Sequence, residues 1–329
     1  MTDERNDHFD STPQPDIGLI AETAQRITDE VHRFVVGKDD LIETLLICLL
    51  AEKNLLIEGN PGIAKTTISK TFARTLGCTF NRQQFTPDIM PADVTGAYVY
   101  NQKTGEFSLR KGGIFSNIIM VDEINRATPR TQAALLECME ERNVTIEGTT
   151  FALERPFMVI ATQTYVDFEG TYPLPEVQLD RFGVKMYLEY PTPEEELEIL
   201  HVKSESNDGD VQQITDKDML LSMFDTVNGV YVDEKVTQYI RDIIVATRNH
   251  EDVLLPASPR GSIALLHLSK ALAAVRGREY VIPDDVKLLT PRVLNHRIIL
   301  TPDAEMADIT ASKIISDILK TIKVNEVSP

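Results

Sequence analysis

Apolar residues recur at helix spacing through Ile20, Ala24, Ile27, Val31 and Phe34, which predicts a first helix ending near Val35, Val36 and Gly37. A second helix is expected from about 39 to 52. The period then changes. Leu55, Leu56 and Ile57 form a continuous apolar run, the pattern of a strand buried on both faces. The segment KTTISKTFARTL after Ala64 returns to helix spacing through Ile68, Phe72 and Leu76, and Gly77 stops it. Further strands are expected at 80–85, 118–121, 157–161 and 184–190. Two hairpins are expected between them, one over 98–109 around Asn101, Lys103 and Gly105 and one over 144–153 turning at Gly148. The run TPDIMPADVTG carries Pro87, Pro91 and Gly96 and reads as an irregular connection. Thr128 and Pro129 cap a helix that runs to Arg142 and buries Ala133, Leu136 and Met139. From Glu194 onward the signals are helical, near 216–228, 233–250, 259–276, 283–296 and 304–323, with a polar break at 204–210.

This alternation of short apolar runs and helices predicts an α/β fold: a five-stranded parallel core with helices on both faces and inserted β-hairpins, followed by a small all-helical lid domain. The expected division is a disordered polar tail over 1–16, a core over 17–191 and the helical region over 192–329. The 329 residues, 42% hydrophobic and 26% charged, suffice for two domains and a substantial core. A formal net charge of -18 argues against electrostatic nucleic-acid binding as the main activity, although a local basic channel is compatible with it. The longest apolar run, 41–51, is broken by Glu43 and Thr44, so no transmembrane segment is expected. The N-terminus lacks the apolar region of a signal peptide, and a cytoplasmic location is expected. Cys48, Cys78 and Cys138 are isolated from one another and read as buried free thiols. The six histidines show no metal-ligand spacing, which leaves magnesium carried with nucleotide as the one metal to consider.

The candidate chemistry begins at NLLIEGNPGIAKTT, a strand, a glycine-rich turn and a helix opening with Lys65 and Thr66. Gly59, Pro61 and Gly62 shape a tight turn whose N–H groups can converge on phosphate oxygens at a helix N-terminus. Lys65 would bridge the terminal phosphates and Thr66 would offer its hydroxyl to magnesium. Ala64 stands where the general G-x-x-x-x-G-K-S/T pattern has its second glycine; a plain loop and helix cap is the competing reading. The strand IIMV then delivers Asp122 and Glu123, the first suited to ordering a magnesium shell and the second to polarising the attacking water. The next strand ends in Thr162, Gln163 and Thr164, where a polar side chain can meet the γ-phosphate or its water, unless Thr164 is simply a turn residue. Arg181 reads either as a surface cap or as an arginine finger. Arg260 falls in the first turn of a helix capped by Ser258, an unfavourable place for a cation, which hints at an external anion.

With these elements in this order the chain resembles the AAA+ ATPases, and within them the MoxR family. The runs VVGKDD, EGNPGIAKT, QFTPDIMPADVTG, VDEINRATPRTQAALLECMEE, GTYPLPEVQLDRF and SPRGS carry the likeness from about 35 to 262, and Ala64 is itself typical of that family. The resemblance implies a P-loop core binding ATP/ADP and Mg2+ through Gly59, Asn60, Pro61, Gly62, Ile63, Ala64, Lys65, Thr66 and Thr67. Thr66 and Asp122 would hold the metal, Glu123 would be the catalytic base, and Val36 and Gly37 would lie against adenine. Arg181 would enter a neighbouring subunit's site, and Arg260 would be the second sensor, on the lid. Where the family usually has asparagine this chain has Thr164, whose shorter side chain can still hydrogen-bond but reaches less far. The implied assembly is a ring, a hexamer by analogy, working with a partner that carries a von Willebrand factor A domain and remodelling a client protein that the sequence does not name. Other functional readings are the ATPase subunit of a magnesium- or cobalt-chelatase-like complex and a slow nucleotide-gated binding scaffold. DNA remodelling is more distant, given the acidity.

Overall fold

The computed structural model describes residues 16–60, 62–103, 105–164, 170–205 and 210–323, and only the backbone of 202–205. Pro61 and, apart from Asp16, the expected tail lie outside the described residues. The Asp16 side chain accepts from the Leu19 N–H at 2.7 Å and so caps the first helix.

In chain order the core contains α1 (Ile17–His32), α2 (Asp39–Leu50), β1 (Leu55–Gly59), α3 (Lys65–Thr75), β2 (Phe80–Gln84), α4 (Pro91–Thr95), β3 (Gly96–Asn101), β4 (Glu106–Lys111), β5 (Ile118–Asp122), α5 (Pro129–Glu141), β6 (Asn143–Ile146), β7 (Thr149–Ala152), β8 (Met158–Gln163), α6 (Glu176–Leu179) and β9 (Val184–Leu188). The rest comprises α7 (Pro193–Glu205), α8 (Lys217–Asn228), α9 (Glu234–Arg248), β10 (Val253–Leu255), α10 (Pro259–Val275), α11 (Pro283–Leu294), β11 (Ile299–Leu300), α12 (Pro302–Met306) and α13 (Ala311–Thr321).

Five strands form one sheet in the order β2-β5-β8-β1-β9, every neighbouring pair parallel. Strand alternation divides the sheet's two faces between two apolar clusters. Leu55, Ile57, Ile118 and Ile160 face a cluster shared with α1, α2 and α3, and Leu56, Ile119, Val121 and Val159 face one shared with α5 and the hairpins. Both faces are dry, which is why β1 and β5 read as unbroken apolar runs. The first cluster continues without interruption into Leu265, Leu268, Val286 and Leu289 of α10 and α11, so the helical region packs on the core rather than beside it. The two hairpins, β3–β4 and β6–β7, are antiparallel and separate from the main sheet.

Four local expectations are corrected. The lid is helical except for β10 and β11, which pair antiparallel through Val253 with Leu300 and Leu255 with Ile299. The single helix expected over 304–323 is two, α12 and α13, with Asp308 between them at a left-handed φ of 55° that no continuous helix accepts. The connection TPDIMPADVTG contains α4, opened by Pro91 at its first helical position. Helix α5 buries Gln132, Leu135, Leu136 and Met139, while Ala133 faces solvent.

Candidate nucleotide site and the two ends of the sheet

In a parallel sheet all strands deliver their C-terminal residues to one edge, where ligands of open α/β folds bind. Here that edge carries a cavity of about 390 Å³ lined by Gly59, Gly62, Ile63, Ala64, Lys65, Thr66, Thr67, Arg82, Gln84, Asp122, Glu123, Thr162, Gln163 and Thr164. The sequence-derived residues from three separate segments thus converge on one space, joined there by Arg82 and Gln84 of β2. Gly62 lies at φ +84° with open space where a side chain would begin, so the loop's backbone faces the cavity unobstructed. Ala64 adopts φ 60°, ψ 14° and caps α3, an alanine in a conformation that usually belongs to glycine. Lys65 Nζ donates to the Gly59 carbonyl at 2.9 Å, spanning its own loop. Burial pushes the Lys65 ammonium down from its ordinary value, opposed by the charges of Asp122 and Glu123.

The two carboxylates are differently held. Asp122 is buried, receives Arg82 Nε at 2.5 Å and accepts from Thr162 Oγ1 at 3.3 Å. Glu123 sits at a left-handed φ of 57°; its N–H donates to Thr162 Oγ1 at 3.0 Å and its carboxylate accepts from Gln84 at 2.8 Å and Arg126 at 2.9 Å. Such backbone strain is found where a side chain must be aimed. Thr66 and Asp122 supply a hydroxyl and a carboxylate to one cavity, hard oxygen donors that suit magnesium shared with phosphate oxygens. Among the described residues no cluster of three or more His, Cys, Asp or Glu could hold a metal by itself. A magnesium site completed by nucleotide therefore fits this donor set.

A second cavity, about 270 Å³, adjoins the first through Gly62, Ile63, Ala64 and Thr67 and is otherwise lined by Phe34, Val35, Val36, Lys38, Pro191 and Ile199. It is apolar and of a size for a purine ring. Val36 lines it as expected; Gly37, at φ +63°, does not, and its missing side chain instead leaves room for Glu195 of α7. Asn60 lines neither cavity. Sequence reasoning missed Pro191 and Ile199, whose role depends on the fold bringing α7 beside the loop.

Arg181 and Arg260 are not in this site. Arg181 precedes Gly183, whose N–H donates to the Asn54 carbonyl at 2.9 Å, so it stands at the N-terminal edge of β1 and β9, the opposite end of the sheet. There a cavity of about 190 Å³ gathers Lys53, Arg142, Arg181, Arg260 and Arg297 against Glu52, Glu140 and Asp180. Five cations against three carboxylates, in a chain of net charge -18, make this a local positive spot. Arg260, the expected second sensor on the lid, pairs with Glu140 and lies 3.6 Å from Asp180. Ser258, the N-cap of α10, accepts from the Arg260 N–H at 3.2 Å and donates to Asp180 Oδ2 at 2.9 Å. Buried Arg297 fixes the arrangement, donating to Asp180 Oδ1 at 2.8 Å and to the carbonyls of Asp180, Phe182 and Gly183.

The three cysteines are free and buried, and burial raises Cys48 and Cys138 to about 12 and Cys78 to about 11, so none is a poised thiolate. No helix among the described residues is long and apolar enough to cross a membrane.

Comparison with known proteins agrees with this geometry. A model of the "ATPase family associated with various cellular activities (AAA)" matches residues 54–184, and a model of the AAA lid domain matches 245–318. The chain is 42% identical over 322 residues to Chaperone MoxR1 of Mycobacterium tuberculosis, covering 94% of this chain and 85% of that one. It is 44% identical over 300 residues to the uncharacterized protein YeaC of Bacillus subtilis, covering 91% and 94%. A crystal structure of a Cytophaga hutchinsonii protein assigned as an ATPase superposes with a TM-score of 0.89 at 40% identity, over 94% of this chain and 97% of that one.

Proposed function

The chain belongs to the MoxR family of AAA+ ATPases, and from that premise we propose that it hydrolyses ATP with magnesium, as a ring-forming chaperone that remodels or activates a partner protein complex. One observation carries the reading: Lys65, Thr66, Asp122 and Glu123 meet in one cavity while Arg181 and Arg260 stand at the other end of the sheet. Nucleotide phosphates bind on the loop's N–H groups and Lys65, with the base in the adjoining apolar cavity against Val36 and Ile199. Thr66 and Asp122 would hold the magnesium, which would supply Lewis-acid stabilisation of phosphate charge. Glu123 takes the proton from the attacking water, with Thr164 in reach of the γ-phosphate.

Charge developing on the γ-phosphate calls for more than Lys65 and Arg82, the second of which is tied to Asp122, and a second copy supplies further cations by bringing Arg181 and Arg260 against the cavity. A closed ring of such head-to-tail contacts lets every subunit both give and receive. The chaperone role rests on the 42% identical relative of that name. The two hairpins are where we look for the client, and on β3–β4 Tyr100 and Phe107 are exposed and in tilted contact with ring centroids 5.3 Å apart. A von Willebrand factor A domain protein is the partner proposed on the family likeness.

Steady-state ATPase assays of the wild type and Glu123→Gln test the reading, with oligomer size measured with and without nucleotide. Turnover is expected in the assembled wild type and not in the variant. No turnover in an assembled wild type would instead favour a slow nucleotide-gated scaffold, a reading to which the ties of Asp122 to Arg82 and Glu123 to Gln84 and Arg126 lend support.

A further inference from the structure

We propose that Glu140, near the end of α5, is a positioning residue that holds Arg181 and Arg260 together as one phosphate-reading pair for the neighbouring copy; this rests on the reading that both arginines act in trans. Its two carboxylate oxygens are divided between them: Oε1 accepts from the Arg260 guanidinium, and Oε2 lies 3.2 Å from Arg181 Nε. No other partner of this carboxylate is found among the described residues. Two guanidinium groups converging on adjacent oxygens of one anion are arranged as they would be around two oxygens of a phosphate.

The pair needs such a device. Arg260 is in the first turn of α10, where the helix dipole opposes a cation, and buried Arg297 adds a third positive charge nearby. Asp180 is occupied by Arg297 and Ser258 and stands 3.6 Å from Arg260. Glu140 is thus the carboxylate free to balance both arginines at once. Its backbone belongs to a 13-residue helix anchored by Gln132, which donates to the carbonyls of Ile124, Ala127 and Tyr172, so the carboxylate is fixed by a rigid element rather than a loop. Arg181 Nε is buried and makes no aligned hydrogen bond among the described residues, so its 3.2 Å approach to Glu140 Oε2 is an electrostatic contact rather than a directional one.

The competing explanation is an ordinary ion pair joining lid to core, of little weight for stability and without effect on chemistry. Kinetics of the full-length assembled protein separate the two. Glu140→Gln is expected to lower kcat by about 10- to 100-fold, the scale of a misplaced catalytic group, with KM for MgATP within about twofold and the melting temperature unchanged. Glu140→Asp keeps the charge on the same helix face and is expected to recover part of the loss. Neither Glu140→Gln nor Glu123→Gln alone should turn over well, but mixed they should exceed the sum of the two. The first keeps an intact nucleotide site and the second intact arginines. Arg181→Ala mixed with Glu123→Gln is the control. Rescue of that control without rescue of Glu140→Gln overturns the role of Glu140 and leaves the trans reading standing. Failure of both mixtures removes the trans reading itself. Unchanged or raised kcat in Glu140→Gln, or a melting loss that accounts for the whole effect in both Glu140 variants, also overturns the proposal.

Discussion

The two edges of the parallel sheet are built from different materials. At the C-terminal edge the functional groups lie on or just beyond strands: Lys65 six residues after Gly59, Asp122 and Glu123 at the end of β5, Thr164 at the end of β8. At the N-terminal edge Arg181, Arg260, Arg297 and Glu140 come from a loop, two lid segments and the far end of α5, joined by side-chain ion pairs across up to 120 residues of sequence. The first edge is a pocket made by backbone; the second is an array made by charge. A pocket can bind alone, whereas on the proposed reading the arginines at the other end of the sheet act on a phosphate that another molecule brings to them. Ligand affinity should therefore belong to one edge and turnover to both.

Lys65→Ala gives the largest expected effect. Removing a partly buried ammonium from the phosphates should weaken nucleotide binding by more than about 100-fold and abolish turnover, as read by calorimetry and phosphate release. Arg181→Ala should leave binding to the unassembled chain within about twofold while kcat of the assembly falls by about 1,000-fold or more, the worth of an arginine finger. Equal losses of binding in the two variants would erase the distinction between the edges.

Within the first edge, the apolar cavity and the phosphate cavity separate further. Ile199→Asp sets a carboxylate in the space assigned to the base and should raise KM for ATP about 10-fold, with kcat at saturation nearly unchanged. A matching fall in kcat would place Ile199 nearer the chemistry than that cavity suggests.

Much of the first edge was legible in the chain, and the reason is locality. A buried parallel strand must be apolar throughout, so β1 and β5 announce themselves, and the residues immediately after them fall at the ligand edge of any such sheet. Arg82 was not legible, because FNRQQ on the outermost strand carries little apolar signal and its pairing with Asp122 depends on sheet order. Arg260 was read correctly as a cation in an unfavourable helix position, but the anion it meets within its own chain is Glu140, and no local pattern says where a lid will dock. The break at Asp308 was hidden for a related reason: apolar spacing of three and four continues through Ala304, Ala307, Ala311, Ile314 and Ile318, although the backbone turns between them.

The second edge should respond to pH through the lid–core joint. His296 is buried, its Nε2 lies 3.1 Å from the Phe182 carbonyl, and burial together with Arg297 pushes its imidazole well below the usual value. A carbonyl only accepts, so the neutral ring carries its proton on Nε2. Because the folded value lies below the unfolded one, the unfolded chain binds the extra proton first. The stabilisation is therefore complete above about pH 6.5 and declines as pH falls below it toward the folded value. The melting temperature should drop more steeply between neutral and mildly acid pH in the wild type than in His296→Gln. Equal slopes would show that another group governs the joint.

The smallest effect concerns Ala64, which lines both cavities of the first edge while adopting a left-handed conformation. In that region a side chain costs about 1–2 kcal/mol, which Ala64→Gly relieves, while the greater freedom of glycine in the unfolded chain takes back about 0.4–1 kcal/mol. The net gain lies between about 0 and 1.6 kcal/mol and should raise the melting temperature by no more than about 2 °C in a chain of this size. The methyl group, however, sits where base and phosphate cavities meet, and its loss removes contact worth at most about 0.8 kcal/mol, up to a fourfold fall in nucleotide affinity. Stability and affinity should thus move in opposite directions by small amounts. If Ala64→Gly lowers both, the methyl group is packing that the loop needs; if it raises both, the alanine is a strain with no return at this edge.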